Sequence, residues 1–521
     1  MKLNLFQNEP ASDFTRGSAQ FKAMAQALAR VETELGRKYP LVIGGERVES
    51  GKTFHSLNPA HPDQVIGVVS RADQELANRA ISAAAAAFPA WTRTNAEDRI
   101  RLLAETAARL RERKYEFEAW LVFEAGKPWA EADAEVAEAI DFCEFYAREM
   151  LRFASPQKLH PHAGERNRLE YIALGAGVVI PPWNFPLAIL AGMSTAAVVA
   201  GNTVVLKPSS DTPVIAFKFF ELLEECGAPP GVVNFLPGAG AEVGDALVQN
   251  PLTRFVAFTG SKDVGLRINS LAAQTSPGQL WIKRVIVEMG GKNSIIVDDE
   301  ADLDAAAEGV AASAYGYQGQ KCSACSRAIV AAPVYDAFLE RLRKRVSEIR
   351  VGDPKDPATE VGPVINERAE RTILGYVETG KKEGRLLSAE SDGAKEGYFI
   401  KPVLFAGVDP QARIAQEEIF GPVLAVIKAR DFDEALAIAN NTEYGLTGAV
   451  YSSNPQKLER AAREFHTGNL YFNRKCTGAL VGAHPFGGFN MSGTDSKAGG
   501  ADYLLLFLQG KSISERIIPG R

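Results

Sequence analysis

Cysteine and histidine are scarce in this chain of 521 residues, at five and six. The five thiols, Cys143, Cys226, Cys322, Cys325 and Cys476, are too few for a disulfide framework, and an odd count leaves at least one unpaired. Reduced thiols suit a cytoplasmic protein. The histidines offer one close pair, His160 and His162, without a set of zinc ligands around it, so no metal is expected. Blocks of like charge are missing too. With 58 Lys and Arg against 64 Asp and Glu the net charge is −6, a balance that argues against nucleic acid as a partner. No apolar run reaches the roughly 18 residues of a membrane span. The longest, Leu187 to Ala200, reads as a buried helix, and Met1 to Arg16 lacks the apolar core of a signal peptide. What remains is an ordinary globular composition, 46% hydrophobic and 23% charged, and a length that suggests roughly two to four domains.

Residues 1–36 read as a helical N-terminal arm. Tyr39 to Val48, centred on Gly44-Gly45, reads as a hairpin. Helical patterns follow at Asp73 to Trp91, Asp98 to Lys114 and Glu131 to Arg152. The pattern then changes to short β-branched runs alternating with helices. Strands are predicted at 177–180, 203–206, 232–235 and 255–258, each followed by a helix: 187–200, 213–226, 242–249 and from Lys262 onward. Four successive βα units imply a parallel sheet covered on both faces, a dinucleotide-binding architecture by pattern. A second α/β segment follows, with strands at 285–288, 294–297, 326–330, 403–405 and 423–427 and helices at Leu303 to Tyr317 and Asp431 to Asn440. Tyr503 to Ile518 alternates polar and apolar residues, as a strand pairing outside its own domain would.

Cys322 lies in Gly319-Gln320-Lys321-Cys322-Ser323-Ala324-Cys325, a turn of small and polar residues between a helix and a strand. Such a thiol can be a nucleophile, or simply a small buried hydrophobe. Its spacing from Cys325 also permits an incidental disulfide. Glu288 ends an apolar strand before Gly290-Gly291, where desolvation would raise its pKa toward that of a general base; capping a turn is the plainer reading. Asn184 is the one polar side chain in the proline-stiffened loop Pro181 to Pro186, placed either as an oxyanion donor or as a turn former. Two further loops suit a nucleotide. Leu206-Lys207-Pro208-Ser209-Ser210 follows the second strand of the series. Phe258-Thr259-Gly260-Ser261 follows the fourth and opens a helix, whose N-terminus can receive a pyrophosphate.

None of these motifs is decisive alone, but their order is specific. Together with Glu418-Ile419-Phe420-Gly421-Pro422 and Pro485-Phe486-Gly487-Gly488, the set resembles the aldehyde dehydrogenase superfamily over about residues 40–515. The resemblance implies an α/β fold with a Rossmann-type cofactor domain (37–150 and 171–288), an α/β catalytic domain (289–496) and a small β oligomerisation flap (151–170 and 497–521). It implies Cys322 as nucleophile, Glu288 as general base, and Asn184 with the Cys322 backbone N–H as oxyanion donors. Lys207 matches the ribose-binding lysine, Ser261 the pyrophosphate contact, Glu418 the nicotinamide-ribose ligand and Phe420 the residue packing near the nicotinamide. Pro182, Trp183, Ser209, Ser210, Gly240, Gly260 and Gly290 complete the implied cofactor contacts. An aldehyde would then pass through a thioester on Cys322, hydrolysed by a water that Glu288 activates.

Three finer stretches, Trp281 to Lys292, Ala314 to Ala324 and Arg474 to Ala479, are similar to the branch that oxidises L-glutamate γ-semialdehyde to L-glutamate in proline and arginine breakdown. By that resemblance Ser323 and the N–H groups of Gly478 and Ala479 hold the substrate carboxylate, Phe185 and Phe486 line its stem, and Glu138 faces its ammonium. The alternatives are succinic semialdehyde or a general aliphatic aldehyde. Many relatives carry a glutamate where Ser210 stands, so NAD is expected with NADP also accepted. The apolar C-terminal strand implies a homo-dimer or a higher homo-oligomer.

Overall fold

The computed structural model describes residues 4–388 and 396–518. Residues 1–3 of the expected arm and 519–521 of the expected flap lie outside them. Two seven-stranded sheets organise the chain. In the first, the spatial order is Arg284–Glu288, Phe255–Thr259, Ala176–Ile180, Thr203–Leu206, Val233–Phe235, Leu41–Ile43, Glu46–Val48. The first five of these run parallel; the hairpin 41–48 adds two antiparallel strands at one edge. Alternate side chains face two cores. Val179, Leu206 and Ala257 enter one, while Val178, Val205 and Val256 enter the other, as the two-residue strand period requires.

The second sheet runs Arg385–Leu386, Val403–Ala406, Val423–Ala429, Cys325–Ala331, Asn293–Val297, Thr447–Tyr451, Asn469–Phe472. It too is covered on both faces: Ile295 and Val330 point into one core, Ile296 and Ile329 into the other. The strand ending at Glu288 pairs with Phe255–Thr259 in the first sheet, not in the second segment where the sequence pattern put it. Glu288 therefore closes one sheet, and the next strand, four residues later, opens the other.

Several other boundaries move. Within the arm only Ala19–Glu32 is helical. The preceding segment is held by Asp141 and Asp133, which accept from Glu9 N at 2.7 Å and Ser12 N at 3.0 Å. The helix Trp129–Ala154 runs into the expected flap, whose strand is Glu165–Ala173. The C-terminal strand begins at Leu508, after a 3-10 turn Tyr503–Phe507, and pairs antiparallel with Glu165–Ala173 of the same chain through Arg516. Leu303–Tyr315 ends two residues early, because Tyr317 and Gln318 take positive φ of 49° and 58°. A π turn Gly240–Gly244 precedes the short helix Asp245–Gln249. No helix among the described residues is long and apolar enough to cross a membrane.

Candidate active site

The turn that carries Cys322 follows the left-handed pair Tyr317 and Gln318. Gly319, at φ 69°, packs so closely on the Gly421 carbonyl that any side chain would collide. Polar groups from both sheets fix the turn. Asn184 Nδ2 donates to the Gln320 carbonyl at 2.9 Å, Asn293 Nδ2 donates to the Cys322 carbonyl at 2.8 Å, and Gln320 Oε1 accepts from Ile365 N at 2.9 Å. The Asn184 amide is buried and spends one interaction on the turn itself, so the oxyanion candidate is tied directly to the strand of backbone that leads to the nucleophile.

Cys322 is half-buried. Burial pushes its thiol up to about 12, and the charges of Glu418 and Glu288 push the same way. Glu288 is buried at the end of its strand. Its Oε1 accepts from the Ser496 hydroxyl at 2.6 Å and Ser496 N at 3.1 Å, and its Oε2 from Gly488 N at 3.1 Å. Burial raises its carboxyl to about 7 against those hydrogen bonds, within the range of a base working near neutrality. A thiol and a carboxyl placed this way can perform nucleophilic attack followed by base-assisted hydrolysis.

Of the cofactor candidates, Gly290 and Glu418 meet beside this centre, and the others lie on loops of the first sheet and near Phe420. Lys207 is buried, its one recorded hydrogen bond is a 3.4 Å contact to the Pro208 carbonyl, and burial lowers it to about 8. A buried ammonium so weakly satisfied suits ribose hydroxyls. Ser209 Oγ accepts from Asp211 N at 3.3 Å, and Ser210 is exposed. Ser261 caps the Lys262–Ala272 helix without a side-chain hydrogen bond, leaving the helix N-terminus open beside Gly260. Nothing lies within 4 Å of a side chain placed at Gly240, which leaves the backbone there accessible. Gly290 gives the Glu418 carboxylate the space a side chain would fill, and Glu418 accepts from Gly291 N at 3.0 Å while burial raises it to about 7. Trp183, next to Pro182, meets Phe420 edge-on at 5.4 Å, and Phe420 holds a positive φ of 57°. These residues fit a dinucleotide.

The substrate candidates lie at five places along the chain. Phe185 packs on Tyr317 at 6.4 Å. The Ser323 carbonyl accepts from Thr447 Oγ1 at 3.2 Å and Cys476 Sγ at 3.4 Å, which ties it to the loop holding Gly478 and Ala479. Gly478 has φ 75°, the left-handed geometry an anion-binding nest uses. Phe486 pairs through its backbone with Ala498. Half-buried Glu138 is raised to about 8 by burial and by Glu135, and its charge reaches Cys322. All five cysteines are free, and Cys325 turns its thiol toward Cys476 in the core rather than toward Cys322. The incidental Cys322–Cys325 disulfide that the spacing permits is not formed. Ser496, Asn293, Lys127 and Glu135 were not singled out from sequence. Of these only Asn293 had a signal, as a near neighbour of Gly290-Gly291.

This fold and this arrangement define an NAD(P)-linked aldehyde-oxidising class, and the chain belongs to the aldehyde dehydrogenase family, whose pattern it matches over residues 47–513. It is 59% identical over 511 residues to the 1-pyrroline-5-carboxylate dehydrogenase of Geobacillus kaustophilus strain HTA426, covering 98% of this chain and 99% of that one. It is 55% identical over 510 residues to the enzyme of the same name from Bacillus subtilis strain 168, with the same coverage. A crystal structure of 1-pyrroline-5-carboxylate dehydrogenase from Thermus with bound NAD superposes with a TM-score of 0.96 at 53% identity, over 99% of this chain and 100% of that one.

Proposed function

We propose that this enzyme oxidises L-glutamate γ-semialdehyde, the open form of 1-pyrroline-5-carboxylate, to L-glutamate in proline and arginine breakdown. The observation that carries the reading is 59% identity along 98% of the chain to an enzyme named for that substrate. The same proposal takes the protein to be cytoplasmic and at least a homo-dimer.

Lys207, Ser209, Ser261, Glu418 and the Trp183–Phe420 pair would hold NAD, which would supply the hydride acceptor. Cys322 Sγ adds to the aldehyde carbon. Its high thiol pKa means that a base must take the proton; of the buried carboxyls whose charges reach the thiol, Glu288 at about 7 is assigned that role, and Glu418 the ribose. Asn184 and the Cys322 N–H hold the oxyanion; its collapse breaks the C–H bond and expels hydride, for which a bound NAD would be the acceptor, and the carbon left on sulfur is a thioester. Glu288 first gives up the thiol proton to solvent, then exchanges its Ser496 and Gly488 partners for a water and takes the water's proton; the hydroxide adds to the thioester carbon, and the Cys322 thiolate leaves as the acid is released. Burial raises the Glu138 carboxyl, and an α-ammonium beside it would favour its carboxylate. The Gly478 and Ala479 N–H groups and Ser323 take the α-carboxylate. Exposed Ser210 neither chelates the ribose diol nor repels a 2′-phosphate, so NADP is also used, with NAD preferred.

Initial rates with L-glutamate γ-semialdehyde, hexanal and succinic semialdehyde, on wild type and C322A, test this. A strong preference for the amino-acid semialdehyde, lost in C322A, is expected. Equal rates on all three would make the enzyme a broad aldehyde oxidiser and overturn the roles of Ser323, Gly478 and Ala479.

A further inference from the structure

Lys127 has no place in the reaction above, yet it sits between the two segments that perform it. Its side chain is fully buried. Its Nζ lies 2.8 Å from Glu135 Oε2, and neither atom has another polar partner. The ammonium is also 4.0 Å from the ring centroid of Phe185 and 4.0 Å from that of Tyr317, so it is clasped between two aromatic faces. Phe185 adjoins Asn184 on the oxyanion loop. Tyr317 is the first left-handed residue of the turn that leads to Cys322, and its hydroxyl donates to the Ala125 carbonyl at 2.9 Å, two residues before Lys127.

The partner carboxylate extends the link. Glu135 Oε1 accepts from Leu187 N at 2.8 Å and Ala188 N at 3.1 Å, at the start of the Ala188–Val199 helix. The oxyanion loop is therefore gripped at both sides: at Phe185 by the Lys127 ammonium and at Leu187 by the Glu135 carboxylate. Removing either charge strands the other in a dry interior, where an unpaired ion is costly. Simple packing would be met by an apolar residue of the same length. An ion that bridges two rings and a loop N-terminus instead fixes orientation as well as volume.

We infer that Lys127, through Glu135, Phe185 and Tyr317, is a positioning residue that sets the distance between the Asn184 amide and Cys322. The inference rests on the reading of those two residues given above. A displacement of about 1 Å in such a pair costs about 10²-fold in rate.

The test compares wild type, K127M and E135Q in the full-length protein, with rates expressed per reactive Cys322 thiol so that unfolded material does not count. E135Q keeps an acceptor for the Leu187 and Ala188 N–H groups and carries the measurement should K127M fail to fold. The NADH burst is followed with L-glutamate γ-semialdehyde and with propanal, and NAD affinity is measured separately. Expected is a burst slowed about tenfold or more on both aldehydes, with NAD affinity within about twofold of wild type. Burst rates per thiol within about twofold of wild type on both aldehydes, accompanied only by a lower Tm, would overturn the inference and leave Lys127 as packing. Should wild type oxidise propanal but not the semialdehyde, the substrate reading fails, while the Lys127 effect is still read on propanal.

Discussion

Replacing Ser496 with alanine tests whether Glu288 is the base of the hydrolytic step. The Ser496 hydroxyl donates to Glu288 Oε1 at 2.6 Å and is the foremost of the hydrogen bonds that hold the carboxyl down against burial. A hydrogen bond to an ionised group contributes about 1.5–3 kcal/mol. Losing it in S496A raises the Glu288 pKa by about 1 to 2, since one pKa unit corresponds to about 1.4 kcal/mol. The starting value is about 7. A base must be ionised to act, so the ionised fraction at pH 7 falls from about one half to between about one tenth and one hundredth. Thioester hydrolysis at pH 7 slows by about 5- to 50-fold and recovers at alkaline pH. The assay is the pH dependence of the steady-state rate after the NADH burst, which reads hydrolysis separately from acylation. The acid limb should move up by about 1 to 2 pH units while the burst amplitude holds. An acid limb unmoved in S496A would refute the assignment.

Three other outcomes follow from the same geometry. N184A removes a buried donor next to the Cys322 turn and should lower the burst rate by about 10²–10³-fold, measured by stopped flow. Glu124 is buried and raised to about 7, so the folded protein binds a proton that the unfolded chain releases at lower pH; its contribution favours folding at acid pH and is lost as pH rises from about 4.5 to 7. E124Q should flatten that fall, worth about 3 kcal/mol, in urea unfolding curves taken across the interval. Removing residues 508–521 deletes the strand that covers Glu165–Ala173 and should leave a monomer of poor solubility, which an unchanged elution volume would contradict.

The parallel strands of the first sheet were legible because each is a short β-branched run followed by a helix, and both cores impose the same alternation. The helix Lys114–Ala125 was not. Its residues from Phe117 to Ala125 are all buried, so no polar stripe marks its period. The end of the Leu303–Tyr315 helix was missed for another reason: Tyr317 and Gln318 carry no local signal for positive φ. The Lys127 clasp on Tyr317, with the Gln318 amide donating to Gly126 and Pro363, supplies it from elsewhere in the chain. At the site, motifs revealed the groups expected to react. The groups that hold them, Ser496 for Glu288 and Glu135 for the oxyanion loop, are 208 and 52 residues distant in sequence and have meaning only once the sheets are assembled. Asn293, two residues past Gly290-Gly291, carries no sign of its role in the sequence, because that role is to donate to the Cys322 carbonyl, 29 residues further along the chain.

The ribbon formed by Glu165–Ala173 and Leu508–Arg516 joins the early part of the chain to nearly its last residues. During synthesis the first strand leaves the ribosome roughly 330 residues before its partner exists. At about 5–20 residues per second that is an interval of about 17–70 s. Through it, an extended segment with Leu169, Tyr171 and Ile172 on it has an unpaired backbone, in a nascent chain surrounded by other copies on the same message. Charges of both signs along that segment, Glu165, Arg166, Arg168 and Glu170, keep it hydrated while it waits. Yield in a cell is then governed by how fast the C-terminus arrives, and slowing translation in the second half of the message should raise aggregation without altering the finished enzyme.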